Sequence, residues 1–250
     1  MKLILKISFV FSLLLVSLKA TTGFPENYYK LPLSEKKKYF FEYFVGQIEL
    51  ENRKILKERE FIKSLMGKKD LPEDSFEYKK LQELQIKYKV LEIYDYTEFL
   101  RRVDIVPPSL ALAQAATESG WGTSRFFKKA NNIFGHWTYN PKIGMVPLRR
   151  QTGKKHFIRV FPTLHDSIAA YMKNLNRTGA YYEFRAKRRA MRLKKEFIDG
   201  MKLAKTMTKY SGIGHDYVKI LQSIIRKNNL AHYDKEFFIM IRNERMLNLH

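Results

Sequence analysis

Residues 111–122 read ALAQAATESGWG, and this stretch decides the fold that we expect. Two prolines at 107 and 108 suit the first turn of a helix, and every residue from 110 to 116 except Gln114 is Leu or Ala. A helix of this composition is buried on nearly every side. Gly120 and Gly122 then end it. We therefore expect a buried helix that carries one carboxylate, Glu118, at its C-terminal end.

Two effects should act on the carboxyl of Glu118 in the same direction. Burial disfavours the ionised form, and the negative end of the helix dipole does the same. Both raise the pKa, as a general acid near neutral pH requires. The structural alternative is a helix-end glutamate paired with a Lys or Arg, and the chain has 47 of these cations to supply one.

The segment that follows this helix is rich in aromatic and amide side chains. Residues 131–137 read NNIFGHW, and a tyrosine follows at 139. Amides can bond sugar hydroxyls and acetamido groups, while aromatic faces stack on sugar rings. We expect five substrate contacts in or next to these two stretches: Ser119, Asn132, Phe134, Trp137 and Tyr139. The alternative for the loop is a packed Phe and an isolated Trp.

The sequence resembles a known family in several blocks that occur in the right order. The run ATESGWGTSRF at 116–126 and the NNIFGHW loop carry most of the resemblance, and further blocks follow at 146–150, 157–161, 167–176, 215–218 and 225–229. Together they cover residues 96–235 and resemble the Bax-type proteins, which belong with the endo-β-N-acetylglucosaminidases of glycoside hydrolase family 73. The resemblance implies a lysozyme-like helical fold and activity on peptidoglycan glycan strands. It also implies that Glu118 is the catalytic acid.

The resemblance leaves the second catalytic carboxylate unassigned. Glycosidases normally use two, and family 73 enzymes often carry the second in the β-lobe, yet no Asp or Glu lies between Ser119 and His165. Asp166 is the nearest downstream candidate, although capping a helix is its simplest role. The HDYV segment resembles the place where the superfamily presents a tyrosine near the acid, which makes Tyr217 a candidate to assist. Its alternative is a tyrosine of the core.

Three reactions need only one nearby acid. The acetamido oxygen of the substrate can attack the anomeric carbon, a distant base can hold a water, or the sugar's 6-hydroxyl can close an anhydro ring, as in lytic transglycosylation. A wall-binding or assembly protein without activity is the alternative of another class. No HExxH motif or phosphate loop is present, so we expect no cofactor and no metal.

The N-terminus and the charge predict an exported protein. Lys2 and Lys6 precede an apolar run from 7 to 18, which is typical of a signal peptide cleaved after Ala20; an uncleaved anchor is the alternative. The formal charge is +22, or +19 without the three lysines of the signal, and favours an anionic cell-wall surface as partner. The alternatives are a solvated basic surface with no dedicated partner and a nucleic-acid binder, against which the signal peptide argues. We expect no nucleic-acid partner and a monomer. The chain has no cysteine.

The patterns along the chain divide it into four parts. We expect a signal peptide at 1–20, an N-terminal helical region at 21–95 with two helices broken near Gly67, the glucosaminidase domain at 96–235, and a tail at 236–250. Within the domain, strands at 144–148 and 156–161 should form a β-hairpin, and Asp166 or Ser167 should cap the next helix. The fold class is mainly α, an α+β lysozyme-like lobe with a small β-lobe. The basic cluster at 185–195 is expected to be a solvated helix face.

Overall fold

The computed structural model describes residues 22–148, 153 and 155–247, with side chains up to Glu244. The described chain is mainly helical and carries one small antiparallel sheet, which confirms the predicted fold class. In chain order the helices are α1 (Glu26–Lys30), α2 (Leu33–Ser64), α3 (Phe76–Tyr88), α4 (Tyr96–Arg102), α5 (Pro108–Ser119), α6 (Arg125–Ala130), α7 (Leu164–Arg177), α8 (Tyr182–Leu193), α9 (Gly200–Ala204), α10 (His215–Lys227) and α11 (Ala231–Leu247). The strands are β1 (Trp137–Thr138), β2 (Gly144–Met145) and β3 (Phe157–Arg159).

Helix α5 is the centre of the fold, as its composition predicts. All residues from 110 to 116 are buried, and helices α2, α9, α10 and α11 pack around them. At its start, Asp234 of α11 accepts hydrogen bonds from the amide and the hydroxyl of Ser109 at 2.8 and 2.6 Å, and from the amide of Gly200 at 2.8 Å. A carboxylate at this end satisfies backbone donors that a helix leaves free.

The predicted N-terminal region packs directly on this central helix. Asn52 of α2 is fully buried and exchanges hydrogen bonds of 2.8 and 3.0 Å with both backbone groups of Val106, just before α5. Buried phenylalanines and isoleucines of α2 belong to the same hydrophobic core as α5. Two apolar side chains in or just after α3 stay outside this core, because Ile86 and Leu91 are 71% and 89% exposed.

The sheet is smaller than predicted and has one more strand. Its order is β1-β3-β2, with both pairs antiparallel, so the predicted hairpin partners do pair, over 144–145 and 157–159. Strand β1, which sequence patterns missed because it has only two residues, pairs Trp137 with Ile158. Gly144 lies against Phe157, where a Cβ would come within 2.5 Å of that side chain. Most of the predicted connection, 149–152 and 154, lies outside the described residues.

The basic cluster at 185–195 is only in part the solvated face that we expected, since Lys194 and Lys195 are exposed but two of its arginines are not. Arg185 and Arg188 of α8 are buried, and Arg188 donates hydrogen bonds to the carbonyl groups of residues 101, 102, 104 and 105. Arg192 forms a 2.7 Å ion pair with the buried Asp104. Guanidinium groups carry five donors each, which lets them satisfy several carbonyl groups at once. These arginines therefore hold α4 against α8.

The start of α7 also differs from the prediction. Thr163 is the N-cap, and Asp166 is the third residue of the helix, where its carboxylate accepts a 3.0 Å hydrogen bond from the amide of Thr163. The two residues form a reciprocal capping box, in place of a cap by Asp166 or Ser167. Ser167 is buried, and its hydroxyl accepts a hydrogen bond from the amide of Ile133.

The predicted signal peptide and the predicted C-terminal tail have different outcomes. The predicted signal peptide falls outside the described residues. No helix in the described part of the chain is both long and apolar enough to cross a membrane. The segment predicted as a tail continues α11 as far as Leu247, and Phe237 and Ile241 of this segment are buried in the core.

Candidate active site

Glu118 lies one residue before the end of α5, where the buried helix reaches the surface. Gly120 ends the helix with a left-handed φ of 54°, and the next two residues, Trp121 and Gly122, also have positive φ. The turn is tight because a Cβ at Gly122 would lie 3.2 Å from the rings of Phe24 and Phe127. This turn leaves Glu118 half-buried, between a fully buried helix and solvent.

Tyr217 of α10 makes the principal contact with the Glu118 carboxylate. Its hydroxyl donates a hydrogen bond of 2.6 Å to Oε1 of Glu118 and accepts one of 3.2 Å from Nε2 of Gln114. Gln114 in turn accepts a 2.6 Å hydrogen bond from the hydroxyl of Tyr171. Gln114, Tyr171 and Tyr217 are all buried. A continuous chain of three hydrogen bonds therefore runs from α7 through α5 and α10 to the carboxylate and fixes its position.

The electrostatic setting of Glu118 follows from burial and from this hydrogen bond. Burial raises its pKa above the ordinary value, and the hydrogen bond donated by Tyr217 acts in the opposite direction but is the weaker of the two effects. No Lys or Arg among the described residues forms an ion pair with Glu118, so the structural alternative of a salt-bridged helix end does not hold for them. A half-buried carboxyl with a raised pKa and no cation partner is suited to giving up a proton.

Tyrosine rings surround this carboxyl on one side. The rings of Tyr210 and Tyr217 stack with centroids 5.6 Å apart, and Tyr210 also contacts Tyr171 and Tyr181 at 6.4 and 5.9 Å. Burial raises the pKa of each of these four phenols, and the charge of Glu118 contributes in the same direction, so all four stay neutral. They form an apolar wall with hydroxyl groups at its edge.

Sequence reasoning missed three of these site residues. Gln114 had a signal, because it is the one polar residue between 110 and 116 and lies one helical turn before Glu118. Tyr171 lies among the buried apolar residues of its amphipathic helix, which is typical of a core residue, but its hydroxyl belongs to the site network. Tyr210 gave no signal, since it lies in an irregular stretch after a short 3-10 helix.

Two of the five predicted substrate contacts are buried and support the backbone. The hydroxyl of Ser119 donates to the carbonyl of Ala115 at 2.7 Å and accepts from the amide of Gly122 at 2.8 Å. The amide side chain of Asn132 donates to the carbonyls of His136 and Arg159, both at 2.8 Å. Both side chains therefore support the loops beside the site, and their contact with substrate stays a prediction.

Of the three aromatic residues that we expect to contact substrate, one side chain is buried and two are exposed. Phe134 is buried and stacks on Tyr171 with centroids 4.0 Å apart, so it supports the site network from behind. Trp137 and Tyr139 are 63% and 76% exposed. Trp137 stacks on His156 at 4.3 Å, which orients the indole while its other face remains available. The structure thus presents two large aromatic faces on the β-lobe to solvent.

Asp166 lies at the start of α7, in the capping box rather than beside Glu118. Its Oδ2 accepts hydrogen bonds from the amide and the hydroxyl of Thr163, at 3.0 and 2.7 Å. Among the described residues, no group of three or more His, Cys, Asp or Glu is arranged to hold a metal ion. The carboxyl group that the hydrogen-bond network of this site holds is therefore that of Glu118, with Tyr217 as its partner.

Comparisons with known proteins place the chain in a family. A family model described as mannosyl-glycoprotein endo-beta-N-acetylglucosaminidase matches residues 93–230, a range that includes α5, the sheet and all of α10. The chain is also similar to protein bax of Escherichia coli strain K12, with 28% identity over 200 residues, which covers 77% of this chain and 70% of that protein. No solved structure matches the chain with significance.

Proposed function

This chain belongs to the mannosyl-glycoprotein endo-beta-N-acetylglucosaminidase family, and we propose that it cleaves β-1,4 bonds next to N-acetylglucosamine in peptidoglycan. The family resemblance inferred from the sequence is confirmed, and it supports a peptidoglycan-related glycosidase in general. The finer assignment is our proposal, and one observation carries it. Glu118 is a half-buried carboxyl with a raised pKa that is held by Tyr217 and that no described cation neutralises.

In this proposal Glu118 protonates the oxygen of the departing sugar. Its raised pKa keeps more of the carboxyl protonated at a given pH than in an ordinary glutamate, which favours its use as a general acid. The hydrogen bond from Tyr217 keeps the carboxyl aimed in one direction and stabilises the carboxylate that remains after proton transfer. Trp137 and Tyr139 offer the exposed aromatic faces on which sugar rings can stack.

The proposal does not depend on a second carboxylate beside Glu118. The hydrogen bonds of Asp166 support a capping role rather than the activation of water. Three reactions remain compatible with one acid: attack by the acetamido oxygen of the substrate, an inverting reaction with a distant base, and lytic transglycosylation. The absence of any Asp or Glu between 119 and 165 is also the specific observation that favours a wall-binding protein without activity as second candidate.

Mass spectrometry of the products released from purified peptidoglycan tests the proposal. We expect soluble fragments with new N-acetylglucosamine reducing ends. Products with anhydro-sugar ends would indicate that the reaction is lytic transglycosylation by the same acid and not hydrolysis. Binding to the sacculus with no released sugar ends would favour the non-catalytic candidate.

The site of action is part of the same proposal. The apolar run after Lys6 and the strong positive charge support export to the periplasm and attraction to the anionic cell wall. Amino-terminal sequencing of the protein isolated from a periplasmic extract tests export. A mature chain that begins near Thr21 is the expected result, whereas a cytoplasmic protein that retains Met1 would contradict it.

A further inference from the structure

A small charged pocket lies where α2, α3, β3 and α7 meet, away from the hydrogen bonds of Glu118. Its volume is about 240 Å³. Three cations line it, Lys87, Arg159 and Lys173, together with two carboxylates, Glu51 and Asp166, and two alanines of α7. Pockets for whole small molecules usually measure about 300–1,000 Å³, so this one suits a single small group of a larger ligand.

Two of these lining charges already have partners of opposite sign. Lys87 forms an ion pair of 2.6 Å with Glu58, which also accepts a hydrogen bond from the neighbouring Tyr88. Glu51 is buried and lies 3.4 Å from the ammonium of Lys54 and 3.2 Å from the ring of His165. Neither charge therefore needs a ligand to balance it.

Arg159 and Lys173 are different, because no described carboxylate forms an ion pair with either one. The residues outside the described part contain no Asp or Glu, so no undescribed acidic side chain can fill that role. Nε of Arg159 is buried without a hydrogen-bond partner, and its guanidinium lies 4.5 Å from the ring centroid of Phe161. Asp166 is bonded only to the neutral groups of Thr163. Two unpaired cations and one unpaired carboxylate leave the pocket with a net charge of about plus one.

The pKa values of neighbouring groups reflect this excess of positive charge. Burial lowers the pKa of Lys173, and the charges of Arg177, Arg159 and Lys87 lower it further. Burial, followed by the charges of Arg159 and Lys173, also lowers the pKa of His136 to about 4. A bound anion would relieve this repulsion, since an opposite charge within a few ångströms favours the protonated cation.

We propose that this pocket binds one carboxylate of the peptide stems that substitute the glycan strand, with Arg159 and Lys173 as its cations. The inference rests on the proposed function for the identity of the ligand. The net charge of about plus one fits a monoanion. A phosphate with two charges would exceed it, and Glu51 and Asp166 would repel the phosphate more strongly than a carboxylate. Arg159 directly follows Ile158, the partner of Trp137 in the sheet, so the pocket adjoins the strand pair that presents an exposed aromatic face to solvent.

Binding of soluble muropeptides to full-length protein tests this site. The Glu118→Gln background prevents cleavage, and two probes are compared: muropeptides with free stem carboxylates, and the same muropeptides with those carboxylates converted to neutral amides. We expect the free form to bind about tenfold more tightly, because hydrogen bonds from Arg159 and Lys173 to a charged carboxylate are stronger than those to a neutral amide. Arg159→Gln and Lys173→Gln should each reduce that preference severalfold.

Matched controls and a competitor make the outcome decisive. Arg226→Gln and Lys205→Gln remove exposed cations from other parts of the chain and should leave the preference unchanged. Equal binding of both probes, no binding of the free form, or an unchanged preference in the Arg159 and Lys173 variants would overturn the proposal. Tighter binding of inorganic phosphate than of the free muropeptide would do the same.

The proposed function fails in a different assay. Suppose that the wild-type protein releases no sugar ends from peptidoglycan but still prefers free carboxylates through Arg159 and Lys173. The proposed activity would then be wrong, and the proposed carboxylate site would stand. If the wild-type protein cleaves both muropeptide forms and shows no preference in binding, the proposed activity would stand and the proposed carboxylate site would be wrong.

Discussion

Ionisation of the Glu118 carboxyl links the stability of the protein to its proposed chemistry. Burial raises the pKa in the folded state above that of the unfolded chain. The folded state therefore holds its proton more tightly, and stability falls as the pH rises from the ordinary pKa of Glu to the raised one. Below that interval both states are protonated, and the carboxyl has no effect on the pH dependence of unfolding.

Glu118→Gln should therefore stabilise the protein in a pH-dependent way. Glutamine has a similar shape, can still accept the hydrogen bond from Tyr217, and is neutral at every pH. Thermal unfolding of both proteins from acid to mildly alkaline pH measures the effect. The variant's Tm should exceed that of the wild type increasingly as the pH rises, until the difference levels off. A difference that does not vary with pH would show that Glu118 keeps an ordinary pKa.

Tyr217→Phe should change both the pH dependence of activity and the stability. The substitution removes the donor that lowers the Glu118 pKa, so the alkaline limb of the pH-rate profile should move to higher pH. It also leaves Nε2 of Gln114 without its acceptor, which should lower the free energy of unfolding by about 1–2 kcal/mol. Pre-steady-state or initial rates across pH check the first expectation, and denaturant unfolding checks the second.

A matched control for this variant is Tyr78→Phe on α3, which removes a phenol that contacts neither Gln114 nor Glu118. It should leave the pH-rate profile in place. An alkaline limb that stays fixed in Tyr217→Phe, or moves to lower pH, would contradict the hydrogen bond as an influence on the acid.

At the scale of elements, the capping box of α7 decides how Asp166 is interpreted. Thr163→Ala and Asp166→Ala should each lower the free energy of unfolding by about 1 kcal/mol, because each removes a bond to the first turn. The two bonds form one reciprocal unit, so the double variant should lose less than the sum of the single losses. A double-mutant cycle by denaturant unfolding measures this coupling. If the two losses of free energy add strictly, Asp166 does not act as part of the cap, and it becomes a candidate for the catalytic base again.

The sequence predicted the elements whose signals are local. Helix α5 could be placed within a residue, because two prolines and a glycine bound it and its apolar composition leaves no solvated face. The hairpin partners β2 and β3 were also correct in pairing. In both cases the information lies within a few neighbouring residues.

Other features depend on partners that are distant in the sequence, and those predictions failed. Arg188 looks like part of a solvated run, but it is buried because carbonyl groups some 85 residues away need donors. The side chain of Asn132 likewise donates a hydrogen bond to the carbonyl of Arg159, which lies 27 residues further along the chain. Local charge and polarity cannot reveal such pairings.

At the scale of the whole molecule, the N-terminal helices are part of the body that holds the site. Beyond the two hydrogen bonds between Asn52 and Val106, the guanidinium of Arg59 on α2 donates to the carbonyl groups of Leu100 and Val103. All these backbone groups lie between Leu100, in the last turn of α4, and Val106, just before α5. Removal of α2 would take away the hydrogen-bond partners of these backbone groups and would expose one side of α5 to solvent.

The fragment 96–235 should therefore not fold by itself. It has the length of the predicted glucosaminidase domain but lacks the apolar surface of α2 and the buried Phe237 and Ile241 of α11. Far-UV circular dichroism during heating should show no cooperative transition, while the full chain should show one. A cooperative transition in the fragment at the Tm of the full chain would contradict this account and make the helical region 21–95 a separate accessory unit.

The most direct test of the account compares the rates at which the wild type and Glu118→Gln release sugar ends from purified peptidoglycan. Loss of a general acid typically lowers a rate by about 10²–10⁴-fold. We predict a loss in that range for a variant that is folded and at least as stable as the wild type near neutral pH. Equal rates for the two proteins would remove Glu118 from the chemistry and contradict the central claim.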